Sequence, residues 1–508
     1  MTWCLVGSEM CIRDRSIILG PPGTGKTTTI LNLIEMEMER GTPPDRIGYF
    51  AFTKKASEEG RDRTIERFGL HEKEVPNFRT LHSLCHRMLG LSRSSVLNGT
   101  SIKEFNDIMG LRLSSTVSLE EGSVSLLSKD DRLSFIEGLS RLRCVSLREQ
   151  WHEHYDEDID WFALERFQKG LAHFKEARGL HDFTDMLDLC VRKQLAPKLD
   201  VMFVDEAQDL SPLQWRLVEL LAENSERVYI AGDDDQAIFR WAGADVEHLV
   251  SISKENARVL DQSYRIPRSV HKIADSIIRR VKTRTDKTWN ARHEEGKVIS
   301  EASFEHVDLS SGEWLILSRS NYLLNEIDAH CRGLGVYFER KGTPSISEKK
   351  VKAVQNWERL RRGGLLYPED ATSAISFIKE SKKKVFELLD PTTQLTLTEV
   401  QQKAQLGEPR IWHDMFDALS VQERSYILSI LRRGEKITRK PRIGLSTIHS
   451  AKGGEADNVL LLTDIPHRTW KSFEKNPDDD TRVFYVGLTR AKQNLHIVQP
   501  MTTKYFPL

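Results

Sequence analysis

Residues Gly20–Thr27 have the composition and spacing of a loop that binds phosphate groups. They read GPPGTGKT and match the pattern GxxxxGK(S/T). Glycines let backbone N–H groups wrap around phosphates, and the positive end of a following helix adds to the attraction. Lys26 is expected to reach the outer phosphates and Thr27 to bind Mg²⁺, so ATP and Mg²⁺ are the predicted cofactors. The predicted nucleotide contacts in this segment are Gly20, Pro21, Pro22, Gly23, Thr24, Gly25, Lys26, Thr27 and Thr28.

A second segment supplies two adjacent carboxylates. The apolar run Val201–Val204 predicts a buried strand, and Asp205 and Glu206 follow it directly. Ligands bind at the carboxyl ends of parallel strands, which is where these two side chains would lie. Asp205 is predicted to bind Mg²⁺, and Glu206 is predicted to activate the attacking water as a general base. An exposed acidic turn is the alternative interpretation.

Both motifs require a parallel sheet to position them. A strand over Ser16–Gly20 and a helix from Thr27 to about Arg40 are expected to flank the glycine-rich loop. Helical pattern separates the other β-rich runs, as in a parallel sheet with crossover helices. Residues 91–180 break this rhythm and predict a polar, mostly helical insertion. The other predicted strands of this sheet are Ile47–Thr53, Val201–Val204 and Arg227–Gly232.

A second series of β-rich runs begins near Ala257. Its predicted strands are Arg258–Asp261, Trp314–Ser318, Ile443–Thr447, Asn458–Thr463 and Leu495–Val498. A helical insertion at 361–437 includes Lys382–Lys384, which we interpret as a solvated helix face rather than a duplex contact. The fold class is therefore α/β, with two domains that each carry a helical insertion. The predicted boundaries are 1–90 and 181–256 for the first domain, with its insertion at 91–180, and 257–360 and 438–508 for the second, with its insertion at 361–437.

Composition leaves several function classes open. The 508-residue chain has a net charge of −1, so a nucleic-acid partner would need a local groove of basic and aromatic side chains. No apolar run reaches the length of about 18 residues that a membrane span needs. The six cysteines form no CxxC pair, which favours a reducing, cytoplasmic location over a zinc site or an iron–sulfur cluster.

The first fifteen residues, MTWCLVGSEMCIRDR, lack the basic start and the long apolar stretch of a signal peptide. They resemble translated read-through of a sequencing adapter. We therefore expect that the natural N-terminus is missing.

The two motifs belong to a longer ordered set. With the glycine-rich loop, eight segments resemble those of UvrD/Rep-type helicases of superfamily 1, and the resemblance spans nearly the whole chain. It implies two RecA-like P-loop NTPase domains with parallel sheets, which use ATP to unwind duplex DNA. The segments are Ala51–Ala56, Thr80–Ser83, Asp182–Met186, Val204–Asp209, Gly232–Trp241, Gln262–Arg265, Ser446–Glu455 and Val483–Lys492.

The resemblance also implies roles for single residues. Gln236 would sense the γ-phosphate and link it to the DNA. Arg265 and Arg490, from the second α/β domain, would be arginine fingers, since a permanently charged planar group suits a phosphoryl-transfer transition state. Surface ion pairs are the alternative for both. Tyr264 would stack on adenine and Glu455 would contact the ribose, with a packed core tyrosine and a solvated carboxylate as the alternatives.

The predicted DNA track combines stacking and phosphate contacts. Phe239 and Trp241 flank Arg240 just after the sensor glutamine, and aromatic rings of this kind stack on bases. Ordinary core aromatics are the alternative for both, and structural histidines are the alternative for His82 and His449. The other predicted DNA contacts, mainly to phosphates, are Thr53, Thr80, His82, Arg319 and His449.

This sequence departs from the family pattern at several positions. The family has an adenine-reading glutamine before the phosphate loop, whereas the first glutamine here is Gln150. Trp241-Ala242-Gly243 stands where tryptophan–arginine–glycine is common, and the arginine is Arg240 instead. Thr28 stands where an arginine can pack on the base. Both helical insertions are shorter, which would favour translocation over strong unwinding.

The sequence as a whole predicts an ATP-dependent DNA helicase that binds single-stranded DNA and single-strand/duplex junctions. The resemblance implies 3′→5′ movement, whereas residue spacing alone does not determine polarity. Three alternatives stay open: a translocase that strips proteins from single strands without unwinding, a motor directed by RNA, and a DNA-binding subunit without activity of its own. No nuclease signature stands out, and no protein partner is predicted.

Overall fold

The computed structural model describes residues 14–52, 54–114, 128–153 and 159–508. The described part divides into two compact units. The first unit comprises the described residues of Met1–Lys297, Ile465–Gln493 and Lys504–Leu508, and the second comprises Val298–Asp464 and Asn494–Thr503. This division is coarser than the six segments predicted above, which stay predictions.

The first sheet has six strands in the order β3-β2-β4-β5-β1-β6. All its paired strands run parallel, as the sequence predicts. Strand β1 begins two residues before the predicted Ser16. The strands are β1 (Asp14–Leu19), β2 (Ile47–Ala51), β3 (Phe78–Thr80), β4 (Leu199–Asp205), β5 (Ser225–Gly232) and β6 (Ala257–Val259).

Both faces of this sheet are covered by apolar side chains. Met202 and Val204 of β4 belong to the core on one face, and Val201 and Phe203 belong to the core on the other. Side chains alternate between the faces of a strand, so a strand buried on both faces reads as a continuous apolar run. Strands β1, β4 and β5 are neighbours in parallel register, and the three loops that follow them therefore emerge at one edge of the sheet.

The helices of the first unit begin and end as follows. They are α1 (Lys26–Glu39), α2 (Lys54–Phe68), α3 (Leu81–Met88), α4 (Gly99–Met109), α5 (Lys129–Leu142), α6 (Leu147–Glu153), α7 (Trp161–Arg178), α8 (Phe183–Arg192), α9 (Pro212–Glu223), α10 (Val246–Asn256), α11 (Arg268–Ile278), α18 (His467–Lys475) and α19 (Asp478–Leu488). Helices α4–α7 confirm that the described part of 91–180 is mainly helical. They enclose a core of their own, around Phe105, Leu164 and Phe167.

The second sheet has seven strands in the order β10-β9-β11-β8-β12-β13-β7. Strand β8 lies between β11 and β12 in parallel register, whereas β9 and β10 pair antiparallel. The sheet is therefore mixed, not fully parallel as predicted. The strands are β7 (Lys297–Glu301), β8 (Trp314–Ser318), β9 (Phe338–Arg340), β10 (Thr343–Pro344), β11 (Ile443–Thr447), β12 (Ala456–Leu462) and β13 (Ala491–Val498).

The second unit also contains a helical region with a large apolar core. Trp357 and Phe416 lie fully buried in this core, together with Ile316 of β8. Lys382 and Lys384 are exposed, as predicted for a solvated helix face, and the helix that begins at Lys383 is a short 3₁₀ helix. The helices are α12 (Asn325–Leu334), α13 (Glu348–Arg361), α14 (Pro368–Ala374), α15 (Leu397–Ala404), α16 (Trp412–Met415) and α17 (Val421–Arg432). Throughout the described ranges, no helix is both long and apolar enough to span a membrane.

The α/β class is confirmed, and so are several strands. The predicted strands Trp314–Ser318 and Ile443–Thr447 are found with the same bounds. The prediction that a second strand series begins with Arg258–Asp261 is wrong. Residues Ala257–Val259 instead pair in parallel with β1 and form the last strand of the first sheet. A strand of three residues carries too little pattern to show which sheet it joins.

We predict that Ile230→Ala lowers the free energy of unfolding by about 2–5 kcal/mol, because it leaves a cavity in the core under β5. Ile230 is 0% exposed. Ile108→Ala is the matched control, because Ile108 is 58% exposed and its truncation should cost less than about 0.5 kcal/mol. Urea denaturation followed by tryptophan fluorescence measures both variants. Equal losses would contradict the assignment of Ile230 to a tightly packed core.

Candidate active site

The glycine-rich loop joins the end of β1 to the start of α1. Gly23 and Gly25 have φ angles of 72° and 80°, a conformation that glycine adopts without steric cost. The residue before α1 is Gly25, which has no side chain to cap the first amide groups of the helix. These amide groups can therefore bind an anion. The Lys26 ammonium donates a hydrogen bond to the Gly20 carbonyl at 2.9 Å and thus lies across the mouth of the loop. The loop has the form that a phosphate site needs.

Asp205 and Glu206 lie at the end of the neighbouring strand β4. The Asp205 carboxylate accepts a hydrogen bond from the Tyr49 hydroxyl at 2.9 Å and another from the Glu206 backbone N–H at 2.8 Å. Burial, and then the negative charge of Glu206, raise the pKa of Asp205 to about 6, although Lys26 acts in the opposite direction. A buried carboxylate whose pKa is raised is an oxygen ligand that a divalent cation would stabilise. The Thr27 hydroxyl, in the first turn of α1, is the other predicted Mg²⁺ ligand, and both residues offer the oxygen atoms that this ion prefers.

Glu206 is held by its neighbours in an unusual backbone conformation. Its φ angle is 54°, in the left-handed region that residues with a Cβ atom seldom adopt. The Gln208 amide donates to one carboxylate oxygen at 2.5 Å, and the Lys26 ammonium lies 3.9 Å from the other. These contacts direct the carboxylate toward the phosphate loop, where a general base is needed.

The loop after β5 carries the predicted sensor, Gln236. Its side-chain amide donates to the Asp233 carboxylate at 2.7 Å, and its side-chain carbonyl accepts a hydrogen bond from the Arg490 guanidinium at 3.0 Å. Arg490 is 2% exposed and also donates to the Val486 carbonyl at the end of α19. Arg490 is therefore no surface ion-pair residue. The buried hydrogen bond brings together two residues that lie 254 positions apart in the chain.

The segment Ser263–Arg265 lies directly against the glycine-rich loop. The Ser263 hydroxyl donates to the Pro22 carbonyl at 2.7 Å, and the Tyr264 backbone N–H donates to the Gly23 carbonyl at 2.8 Å. A Cβ atom on Gly23 would lie only 2.4 Å from the Cβ atom of Arg265, so only glycine permits this approach. Tyr264 is 75% exposed, which excludes the packed core tyrosine and leaves a ring face open for stacking.

The structure differs from expectation in the placement of the two arginines. The sequence assigns Arg265 and Arg490 to the second α/β domain, whereas the structure groups both with the phosphate loop in the first unit. Arg265 lies there because the first unit extends to Lys297, and Arg490 lies there because the chain returns to this unit over Ile465–Gln493, which includes α18 and α19. Sequence reasoning also missed Tyr49, Gln208 and Ser263. Gln208 and Ser263 stand inside recognised motifs, but nothing in the sequence singles out Tyr49.

Several predicted DNA contacts lie near the sensor loop. The Phe239 ring stacks on Phe52 with 5.8 Å between centroids, and the Trp241 ring stacks on Phe135 of α5 at 6.2 Å. Both residues are half-buried, so neither is a fully enclosed core aromatic. Arg240, which lies between them, forms ion pairs with Glu247 and Asp479 at 2.6 and 2.9 Å. Thr53 lies outside the described residues.

The remaining track residues of the first unit lie at the start of α3. The Thr80 hydroxyl caps this helix by accepting from the Ser83 N–H at 3.2 Å. The His82 ring meets the ring of Phe183 edge-on at 5.7 Å, and burial lowers the pKa of His82 to about 4. His82 is therefore neutral at pH 7, and its contact to a phosphate would be a hydrogen bond without charge.

Three predicted residues lie in the second unit. Arg319 follows β8 directly and His449 lies two residues beyond β11, so both stand at the carboxyl ends of adjacent parallel strands. They are 7% and 2% exposed. Glu455 is exposed and directly precedes β12. Arg319 and His449 thus share one edge of the second sheet, whereas Glu455 lies at the amino end of a parallel strand and therefore toward the opposite edge.

Comparison with known proteins shows clear similarity over this whole arrangement. Residues 8–257 match the UvrD/REP helicase N-terminal domain, and residues 419–500 match the UvrD-like helicase C-terminal domain. A probable DNA helicase II homolog of Mycoplasma genitalium is 22% identical over 96% of this chain and 83% of its own length. A putative ATP-dependent DNA helicase of Bacillus subtilis, YjcD, is 23% identical over 95% and 76%. The helicase PcrA of Staphylococcus epidermidis is 22% identical over 96% and 82%.

Glu206→Gln is expected to lower the rate of ATP hydrolysis by a factor of about 10²–10⁴ while nucleotide affinity stays within about threefold, because a general base is lost without loss of shape. Lys26→Ala should abolish turnover by removing the cation that meets the outer phosphates. A phosphate-release assay and titration with a fluorescent nucleotide measure the two properties. Normal turnover in either variant would refute the assignment of the site.

Asp205→Asn is expected to stabilise the nucleotide-free protein at pH 8 by about 1–3 kcal/mol. The folded protein raises the pKa of Asp205 from 3.8 to about 6, so it binds the proton more tightly than the unfolded chain does. Stability is then lost as pH rises through this range, and the neutral amide avoids the loss.

The gain should disappear below about pH 4, where the carboxyl group is protonated in both states. Chemical denaturation in EDTA at both pH values measures the effect. Asp62→Asn is the control, because the Asp62 side chain is 65% exposed. A gain at pH 8 that persists undiminished at pH 4 would contradict the role of ionisation.

Proposed function

Since this chain belongs to the UvrD/REP helicase family, we propose that it is a DNA motor that moves 3′→5′ along single strands and unwinds the duplex ahead of it. The family is one of ATP-dependent DNA helicases. We propose in addition the 3′→5′ direction of this motor, its movement on single strands and its action at single-strand/duplex junctions.

One observation carries the proposal: three groups of different function meet at one edge of the first sheet. The phosphate loop follows β1, the carboxylate pair ends β4, and the sensor loop follows β5. Gln236 in the sensor loop is hydrogen-bonded to Arg490, and the backbone of Arg265 lies against the phosphate loop. A site of this composition can hold a triphosphate and activate a water molecule. It can also neutralise the negative charge of the phosphoryl group in the transition state.

The proposed chemistry uses the side chains in sequence. On ATP binding, the Lys26 ammonium exchanges the Gly20 carbonyl for phosphate oxygens. Thr27 and Asp205 would hold Mg²⁺, which neutralises phosphate charge when bound. Glu206 accepts a proton from the attacking water, which displaces ADP from the γ-phosphorus. Arg265 and Arg490 stabilise the charge of the transition state.

The sensor loop offers a short route from nucleotide to DNA. Phe239 and Trp241 follow Gln236 by three and five residues. When Gln236 shifts to contact or release a γ-phosphate, these rings are the nearest groups along the chain that can stack on bases. Alternation between two such states would move the strand stepwise, because the grip on the DNA then depends on the nucleotide bound.

The deciding experiment is steady-state ATP hydrolysis with and without a single-stranded oligonucleotide. Stimulation by DNA, and much weaker stimulation by RNA of equal sequence, is expected. Partial duplexes with either a 3′ or a 5′ single-stranded tail then test direction, and only the 3′-tailed substrate should be unwound. Stimulation without unwinding of either would indicate a translocase, and an absence of hydrolysis would indicate a binding subunit.

We predict that Trp241→Ala weakens binding of a short oligonucleotide by about 5–100-fold, because a stacked base is worth about 1–3 kcal/mol. Fluorescence anisotropy with labelled single-stranded DNA measures the affinity. Phe162→Ala is the control, because Phe162 is an aromatic residue that is 74% exposed on α7. Equal affinities for the wild-type protein and the Trp241 variant would remove this tryptophan from the DNA track.

A further inference from the structure

Three consecutive aspartates follow β5 and are completely buried. Asp233, Asp234 and Asp235 are each 0% exposed. Carboxylates in such a place repel one another and lose their hydration, so they need compensating charge. The ammonium group of Lys287 lies 3.2, 2.6 and 2.9 Å from the three carboxylates in turn. A single lysine, itself with a side chain that is 0% exposed, therefore holds the whole triplet.

Two arginines complete the neutralisation of this triplet. Arg284 donates two hydrogen bonds to Asp235, at 2.9 and 2.8 Å. Arg482 of α19 donates to the backbone carbonyl of Asp234 at 2.9 Å. Burial by itself would lower the pKa of Lys287, but the three carboxylates raise it above its ordinary value. The lysine thus stays charged, and its three contacts fix the course of the sensor loop.

The first aspartate of the triplet connects this cluster to the active site on both sides. One of its oxygens accepts the hydrogen bond from the Gln236 side chain at 2.7 Å. Its backbone N–H donates to the Gln208 side chain at 2.9 Å, and Gln208 in turn donates to Glu206 at 2.5 Å. Asp233 therefore lies between the proposed sensor and the proposed general base, and Lys287 lies behind Asp233.

We propose that Lys287 is a positioning residue for recognition of the γ-phosphate. Held by Lys287, Asp233 orients the Gln236 amide so that its carbonyl meets Arg490. The inference rests on the proposed function, in which Gln236 senses the γ-phosphate. Lys287 itself is enclosed by the aspartates and acts only through them. A residue that served charge balance alone would be replaceable by any change that removes one of the negative charges.

That difference defines the variants. Lys287→Met keeps the length of the side chain but leaves the triplet with one uncompensated charge, and this variant is expected to be less stable. Lys287→Met combined with Asp234→Asn restores the charge balance and spares the aspartate that touches Gln236. The double variant should regain most of the thermal stability, because no excess charge remains buried.

The measured quantity is the ratio of affinities for a non-hydrolysable ATP analogue and for ADP, both with Mg²⁺, from titrations with a fluorescent competitor. In the double variant this ratio should fall about tenfold or more, since a hydrogen bond to a charged group is misaligned. ADP affinity should stay within about twofold. Arg279→Met, which breaks an exposed ion pair with Asp275, should leave the ratio unchanged.

A double-mutant cycle separates positioning from a direct effect. Gln236→Ala should lower the same ratio, and adding the Lys287 and Asp234 changes to it should lower the ratio no further, because both act on one contact. The proposal is overturned if the charge-balanced double variant keeps the affinity ratio of the wild-type protein. It is also overturned if the decreases in this ratio caused by the two sets of substitutions add, or if the wild-type protein does not prefer the triphosphate to ADP.

This test does not depend on turnover or on DNA. If the wild-type protein fails to hydrolyse ATP with DNA present but the ratio falls as described, the proposed function is wrong and the positioning role stands. If hydrolysis is stimulated by DNA but the ratio is unaffected by the double variant, the proposed function stands and the positioning role is wrong.

Discussion

Carboxylates that act on a phosphate must lie where water is scarce, and a dry carboxylate is unstable unless positive charge or hydrogen bonds compensate it. The first sheet meets this constraint in two ways at one edge. Behind the sensor loop, Lys287, Arg284 and Arg482 supply the positive charge that balances Asp233–Asp235. At the end of β4, Asp205 accepts hydrogen bonds from Tyr49 and the backbone, and its pKa rises because burial and the charge of Glu206 outweigh the opposing effect of Lys26. The compensated aspartates build the frame, and the less compensated Asp205 is the residue proposed to bind the cation that arrives with the nucleotide.

The sequence predicts the parts of the fold that bury continuous apolar runs. Strands β8 and β11 are found with the predicted bounds, because an apolar run between turn residues on both sides has one interpretation. Short strands such as β3 and β9 escape prediction, since three residues show no period. A strand was predicted close to β6, but it was assigned to the wrong sheet. Sheet membership is decided by which neighbour offers a free edge, and the edge of β1 lies more than 200 residues away in sequence.

The candidate site shows the same division between local and distant information. The residues of the phosphate loop and of the carboxylate pair are local motifs, so the sequence identifies them directly. The hydrogen bond between Gln236 and Arg490 and the burial of Lys287 depend on how α19 and the loop before β7 return to the first sheet. No spacing rule reveals such contacts. The roles of these residues in catalysis and in DNA binding stay predictions. The observed contacts show which substitutions would test them.

Glu206 lies in a backbone conformation that costs a residue with a Cβ atom about 1–2 kcal/mol and costs glycine nothing. Selection for turnover and selection for stability therefore favour different amino acids at this one position. In a lineage that no longer needed the enzyme, glycine at position 206 would be accepted early, because it relieves the backbone and removes only a group whose proposed role is in turnover. Evolutionary decay of such a protein would begin at the centre of its active site while the surrounding sheet became more stable.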